Sequence, residues 1–225
     1  ACSNDAAKYV FGKKVNKVYI MKNAVDVERF RFDEKTREDL RKELNIKNDE
    51  FIIGNVGRFT IQKNQEFMLD LLHEMNLEKE HIKLILIGTG PDEEKVKEKI
   101  NRYNMEQYVM MLGIKKDIER YYQIMDLFLF PSTYEGLGMV AIEAQISGLK
   151  CIASDVVPKE TQITELIQYI SLQADKKIWI DNILNCKKQT NSRMSYIDDA
   201  KKAGYDIKEE AIKLQNKYIE MVKER

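Results

Sequence analysis

Glu135 and Glu143, with Gly136-Leu137-Gly138-Met139-Val140-Ala141-Ile142 between them, are the side chains whose type and spacing point most directly to chemistry. One sits on a glycine-rich turn and the other early in the helix that this turn opens. Backbone N–H groups at a helix start have no partner within the helix, so anions and hydroxyls are received beside them. The pair suits a polyhydroxylated ligand, one carboxylate accepting from a sugar and the other from a ribose. Loop and helix glutamates also face solvent more often than not, and spacing alone does not separate these readings. Arg58 and Lys63 form a second pair, close together after the run Phe51–Val56. Arginine offers a planar fork for two phosphate oxygens, and lysine adds a compact point charge. Two cations in one loop are otherwise ordinary surface charges. Neither the dinucleotide Gly-x-G-x-x-Gly spacing nor a Walker Gly-Lys-Ser/Thr is found there.

The elements that must position these residues follow from apolar periodicity. Leu127-Phe128-Leu129-Phe130 reads as a buried strand, and Met139, Ile142, Ala144 and Ile146 follow at helical spacing. Glu135 is therefore expected at the C-terminal edge of a strand, where open α/β sheets bind ligands. Apolar runs at Phe51–Val56, Ile82–Ile87, Tyr108–Leu112, Leu127–Phe130, Cys151–Ala153 and Leu166–Ile170 alternate with stretches of helical period. The implied fold class is α/β: a Rossmann-like, mostly parallel sheet with helices on both faces. Phe67, Leu71 and Met75 mark the inner face of one helix, Val96 and Ile100 that of the next. Ile118, Tyr121, Tyr122 and Met125 mark a third, all as core. Asn64 and Asp117 are expected helix caps, and Pro91 an expected first helical residue. Residues 1–12 read as helical, and Lys17–Ile20 with Ala24-Val25 as one further strand. Near the other end, Met194–Ala203 reads as a short helix stopped by Gly204. After Asp206 a helix carries Ile207, Ala211, Leu214, Tyr218 and Met221 on one stripe.

Composition narrows the function classes. The 225 residues are 44% hydrophobic, enough for a sizeable core. Lys plus Arg and Asp plus Glu are both 37, so no overall basic field recruits nucleic acid or anionic lipid. Phosphate binding must then be local. No apolar run approaches the roughly 20 residues needed to span a bilayer, and the expected location is cytoplasmic. Cys2, Cys151 and Cys186 are far apart and read as reduced packing thiols. His73 and His81 have no ligating partner at metal spacing, and Asp-x-Asp does not occur. No metal and no cofactor are expected.

Glu135-Gly136-Leu137-Gly138 followed by Glu143 resembles the paired-glutamate motif of the retaining, GT-B-fold glycosyltransferases of group 1. The resemblance runs from about Asn23 to Pro158: Asn23-Ala24-Val25-Asp26 near Glu28-Arg29-Phe30, Gly57-Arg58 with Lys63, Gly88-Thr89-Gly90-Pro91, Leu112-Gly113, Pro131-Ser132, the glutamates, then Ala153-Ser154-Asp155. The family often has Asn-Gly where this chain has Asn23-Ala24. Ala141-Ile142-Glu143-Ala144-Gln145 and Ser154–Glu160 are similar to capsular and exopolysaccharide transferases.

The resemblance implies a nucleotide diphosphate sugar donor and a glycan or lipid-linked acceptor. Arg58 and Lys63 would stabilise the leaving diphosphate without a metal, Glu135 would orient the transferred sugar, and Glu143 would take the ribose. Gly57 and Gly90 would let the donor approach. Leu112, Gly113 and Ile114 would read the base through their main chain, and Gly136, Leu137 and Gly138 would offer N–H groups. It also implies a domain plan: residues 1–22 ending an acceptor domain, 23–190 the donor-binding domain, and 191–225 helices that cross back or pack locally. On that plan the acceptor half is missing, the fragment alone is inactive, and the longer protein associates peripherally with the inner membrane. The competing readings are a non-catalytic nucleotide-sugar module, a nucleotide-sugar epimerase, and a glycan phosphorylase, although no segment argues for the latter's pyridoxal lysine.

Overall fold

The computed structural model describes residues 1, 4–189 and 193–223. Its strands are β1 Phe51–Val56, β2 Ile82–Ile87, β3 Val109–Met111, β4 Leu127–Phe130, β5 Lys150–Ser154 and β6 Ile167–Ile170. Its α-helices are α1 Asn4–Phe11, α2 Glu34–Glu43, α3 Gln65–His73, α4 Leu77–Glu80, α5 Glu93–Arg102, α6 Ile118–Ile124, α7 Met139–Ile146, α8 Lys176–Lys188, α9 Ile197–Lys202 and α10 Ile207–Lys223. The strands form one sheet in the order β3-β2-β1-β4-β5-β6, with every pairing parallel. That order reverses between β1 and β4, which is where a doubly wound sheet opens a ligand crevice.

Side-chain alternation along each strand divides the core into two layers. Ile52, Ile85, Ile87, Phe128, Phe130, Cys151 and Ala153 face α2, α6, α7 and α9. Ile53, Leu84, Leu86, Leu127, Leu129 and Ile152 face α3, α5 and α8. Both faces are covered, so the strands are apolar throughout rather than alternately polar.

The N-terminal end of the β1–β4 junction is latched by Asp126. Its carboxylate accepts from the Ile52 amide at 2.7 Å, from Arg37 Nη2 at 2.5 Å and from Arg41 Nη1 at 3.4 Å. Arg41, 4% exposed, also donates to the carbonyls of Ile124, Lys47 and Glu50. Arg193 makes a comparable clamp, donating to Tyr122 O, Gln123 O and Met125 O at the end of α6 and to Ser147 O at the end of α7. Burial lowers its guanidinium pKa to about 9.

Several local expectations are corrected. Lys17–Ile20 is not a strand: a 3-10 helix covers Gly12–Lys17, and Val25 makes only an isolated parallel bridge to Asp206. The helix expected at Met194–Ala203 begins at Ile197, because Arg193 is committed to its clamp and the Tyr196 amide to Ile146 O. Pro91 precedes α5 rather than opening it, since the Asp92 amide bonds to Phe59 O. Asn64 and Asp117 make no side-chain capping bonds. The inner face of α3 falls on Met68, Leu69, Leu71 and Leu72, with Phe67 edge-on to the buried Trp179. His73 stacks on Tyr103, and His81 meets Asp49 at 2.7 Å. Cys151 and Cys186 are free thiols whose pKa values burial raises. Cys2 lies outside the described residues.

Asp126→Ala would leave Arg41 buried without its counter-ion and Ile52 N–H without an acceptor. Removing one partner of a buried pair typically costs about 3–5 kcal/mol. A loss near the lower figure is expected in urea unfolding.

Candidate functional site

Two loops leave the sheet side by side where its order reverses. The loop after β1 carries Gly57, Arg58 and Lys63, and the loop after β4 carries Pro131 to Gly138. β1 and β4 pair only at Ile53–Leu127 and Gly54–Phe128, and beyond that register the strands part. Asn55 spans the opening by donating Nδ2 to Leu129 O at 2.8 Å. Further out, the Thr133 amide donates to Gln62 O, Gln62 Nε2 to Tyr134 O, and Asn64 Nδ2 to Pro131 O. Asn64 thus uses its amide to tie the loops, with its own backbone in the left-handed region at φ 56°.

Lys63 and Glu135, 72 residues apart in sequence, meet at 2.6 Å. Their side chains are 15% and 6% exposed, and the ammonium also lies 5.0 Å from the Phe130 ring centre. A partly buried pair of this kind is weakly screened by water. It therefore holds both groups in one geometry. Arg58 lies on the same loop, exposed, and its guanidinium has no hydrogen-bond partner among the described residues. The site thus presents a paired cation, an open cation and a carboxylate.

Gly90 and Gly138 are required by geometry. A Cβ on Gly90 would stand 2.3 Å from Phe59 O, so only glycine lets the loop after β2 lie against the loop after β1. Gly138 has φ 90° beside the Phe130 ring, a conformation that L side chains rarely adopt. It turns the chain directly into α7. Among the described residues, the amides of Gly136, Leu137 and Gly138 donate to no protein acceptor. The Lys63 stem passes over Gly57. Gly113 turns the chain after β3 with φ 66°, and its carbonyl accepts from the Gly88 amide. Leu112 is half-buried beside it, while Ile114 is 72% exposed at the rim.

Glu143 lies on the second turn of α7, not at its open N-terminus. Burial is the main reason its carboxyl pKa is raised; the hydrogen bond from Tyr122 Oη at 2.9 Å acts in the opposite direction, and Glu119 adds to the rise. Tyr122 was legible in the sequence only as core. The usable signal was that a buried tyrosine hydroxyl needs a partner. The crevice-spanning roles of Asn55 and Gln62 left no such signal. No group of three or more His, Cys, Asp or Glu able to hold a metal is found among the described residues.

An all-parallel, doubly wound sheet with a paired cation and carboxylate at its switch point is a Rossmann-like α/β domain, of the class that binds ligands at that point. Comparison with known proteins names the family. Residues 36–203 match the family described as glycosyl transferases group 1, and the chain belongs to it. A Bacillus subtilis (strain 168) protein, EpsF, named as a glycosyltransferase, is 30% identical over 223 residues, covering 97% of this chain and 58% of EpsF. An Escherichia coli UDP-Gal:alpha-D-GlcNAc-diphosphoundecaprenol alpha-1,3-galactosyltransferase is 26% identical, covering 92% of this chain and 55% of that protein. Anabaena HepE, solved with UDP and glucose, superposes with a TM-score of 0.81 at 18% identity, over 97% of this chain and 61% of HepE. The last likeness concerns the fold, a GT-B glycosyltransferase type. The chain thus spans somewhat over half the length of these relatives.

Two outcomes test this electrostatic picture. Lys63→Met strands the Glu135 carboxylate and should lower stability by about 2–3 kcal/mol, part of which Glu135→Gln restores in the same background, read by urea unfolding. Because the pKa of Glu143 is raised on folding, the native state binds more protons than the unfolded state between the ordinary carboxyl value and the raised folded one. Its contribution to stability is therefore present at low pH and lost as pH rises through the folded value. Glu143→Gln should flatten that part of the stability profile.

Proposed function

We propose that this chain is the donor-binding half of a retaining glycosyltransferase, moving a sugar from a nucleotide diphosphate sugar to a glycan or lipid-linked acceptor. The observation that carries this reading is the meeting of Lys63 and Glu135 at the β1–β4 switch point, with Arg58 open beside them. Arg58 and Lys63 take the diphosphate and stabilise charge as the bond from sugar to phosphate breaks. Glu135, released from Lys63 by the incoming phosphate, accepts from the sugar hydroxyls and orients the ring. The free amides of Gly136, Leu137 and Gly138 suit the β-phosphate oxygens. Glu143 accepts from the ribose, and the main chain of Leu112, Gly113 and Ile114 meets the base.

Transfer proceeds on one face of the sugar, the leaving phosphate helping to deprotonate the acceptor hydroxyl. The absence of Asp-x-Asp from the sequence supports a diphosphate neutralised by protein cations rather than by a metal. The UDP in HepE and the UDP-Gal in the E. coli relative's name put uridine first among the bases. Similarity to EpsF over nearly the whole chain supports glycosyl transfer, and a lipopolysaccharide core biosynthesis mannosyltransferase of Rhizobium meliloti among the relatives supports a role in polysaccharide assembly.

Residues 1–22 and 191–225 flank the donor domain on this reading. α10 is held at its first turn, where the Ile207 amide donates to Val25 O and Glu210 is buried, while Ile212, Tyr218, Ile219, Met221 and Val222 further along are exposed, which supports a partner beyond this domain. It is assigned to an acceptor-binding domain of the longer protein, reaching the membrane-borne acceptor through that domain.

The test is calorimetric titration with UDP, GDP and ADP, without and then with magnesium. Metal-independent binding of one nucleotide that weakens at least tenfold in Arg58→Ala with Lys63→Ala supports the reading, and equal affinity in that variant would refute it. In the longer protein, Glu135→Gln should spare nucleotide affinity and reduce transfer by two or more orders of magnitude, as loss of a preorganised group at a transition state does.

A further inference from the structure

Tyr122 lies between three elements of the site without belonging to either catalytic loop. It is fully buried on α6, the helix that follows the loop after β3. Its ring is held between Phe30 and Phe128, each with centroids 5.8 Å away, and its carbonyl is gripped by Arg193. A ring so confined can carry its hydroxyl to only one place. That hydroxyl donates to Glu143 Oε2 at 2.9 Å and, more weakly, to Val140 O at 3.2 Å. Donation to a charged acceptor is the stronger of such bonds. The other oxygen, Oε1, has no protein partner and is not among the atoms sealed from solvent without one.

We propose that Tyr122 is a positioning residue for ribose recognition: its hydroxyl fixes one oxygen of Glu143 and leaves the other turned to the ribose hydroxyls of the nucleotide. The proposal rests on the reading of Glu143 given above. It explains why a glutamate one turn inside α7 can serve a ligand at all. Unbound, so buried a carboxyl would take up a proton or rotate against the helix; bound, it stays an acceptor in a set direction. The geometry also joins the loop after β3 to α7, so base and ribose are read by parts of one packed unit. Burial keeps the tyrosine itself protonated, and therefore a donor, across the working pH range. Tyr122, through its hydrogen bond, and Glu119, through its charge, are the groups on α6 that act on Glu143, and Glu119 is itself held by Arg29 from the turn at Val27–Phe30.

Tyr122→Phe removes the hydroxyl and keeps the ring. Titrations with UDP, GDP and ADP and with their 2′-deoxy and 3′-deoxy counterparts should show that the parent prefers a ribonucleotide by about tenfold, as loss of a hydrogen bond to a charged group predicts. In Tyr122→Phe that preference should shrink to within about twofold, while the response to Arg58→Ala stays as in the parent. Undiminished preference in Tyr122→Phe, with Glu143→Ala losing it, would overturn the positioning role alone. Undiminished preference in Glu143→Ala would remove the ribose assignment itself. A second arm needs no nucleotide: carboxyl-13C glutamate NMR, with Glu143 assigned by its absence in Glu143→Ala, follows its titration. The Glu143 midpoint should move upward in Tyr122→Phe, and an unmoved midpoint would refute the proposal.

Discussion

The β1–β4 junction is the constraint on which the rest of this structure depends. Two strands more than 70 residues apart in sequence pair side by side, and the sheet's order reverses across them. Asp126 closes the junction at one end through a backbone amide and two arginines. At the other end only two residue pairs remain in register before the strands part. A crevice opens there because helices leave the neighbouring strands on opposite faces. The Lys63–Glu135 pair joins the two loops that leave β1 and β4 at that end.

Charge is spent unevenly across the domain. Many ion pairs of the described residues are surface contacts, some between near neighbours such as Lys97 with Glu94 or Arg31 with Glu28, which add little. Among the less exposed ones, Arg41 and Arg37 on Asp126, and Lys63 on Glu135, sit where the chain must be held against itself. The buried Asn55 Oδ1 and Ser132 Oγ, on strand and loop flanking the crevice, lack partners. Unsatisfied groups are rare in native cores. Their position is consistent with a junction whose polar groups serve the opening rather than the core.

Much of the fold was readable because strand and helix periods differ. The apolar runs of three to six residues became strands within a residue or two, and the parallel doubly wound arrangement followed from their alternation with helical stretches. The paired glutamates and the Arg58–Lys63 loop stand out in the sequence by residue type and spacing, while the roles given to them rest on the family resemblance. Errors gathered where tertiary bonds outbid local preference. Val25 bridges to Asp206 instead of extending a strand, and residues 193–196 are tied to α6 and α7 instead of starting a helix. Asn64 had the right type for a cap, yet its amide is used across the loops.

By itself, then, the sequence determined the α/β class, the strand positions and the identity of the charged side chains, since these depend on periodicity and chemistry within short windows. Only the tertiary structure decided that Lys63 meets Glu135, that Glu143 takes the Tyr122 hydroxyl on one carboxylate oxygen, and that Ile212, Tyr218, Ile219, Met221 and Val222 of α10 are exposed. Each of these is a relation between segments tens of residues apart. Such relations are set by the packing of helices on a common sheet, which no local pattern encodes.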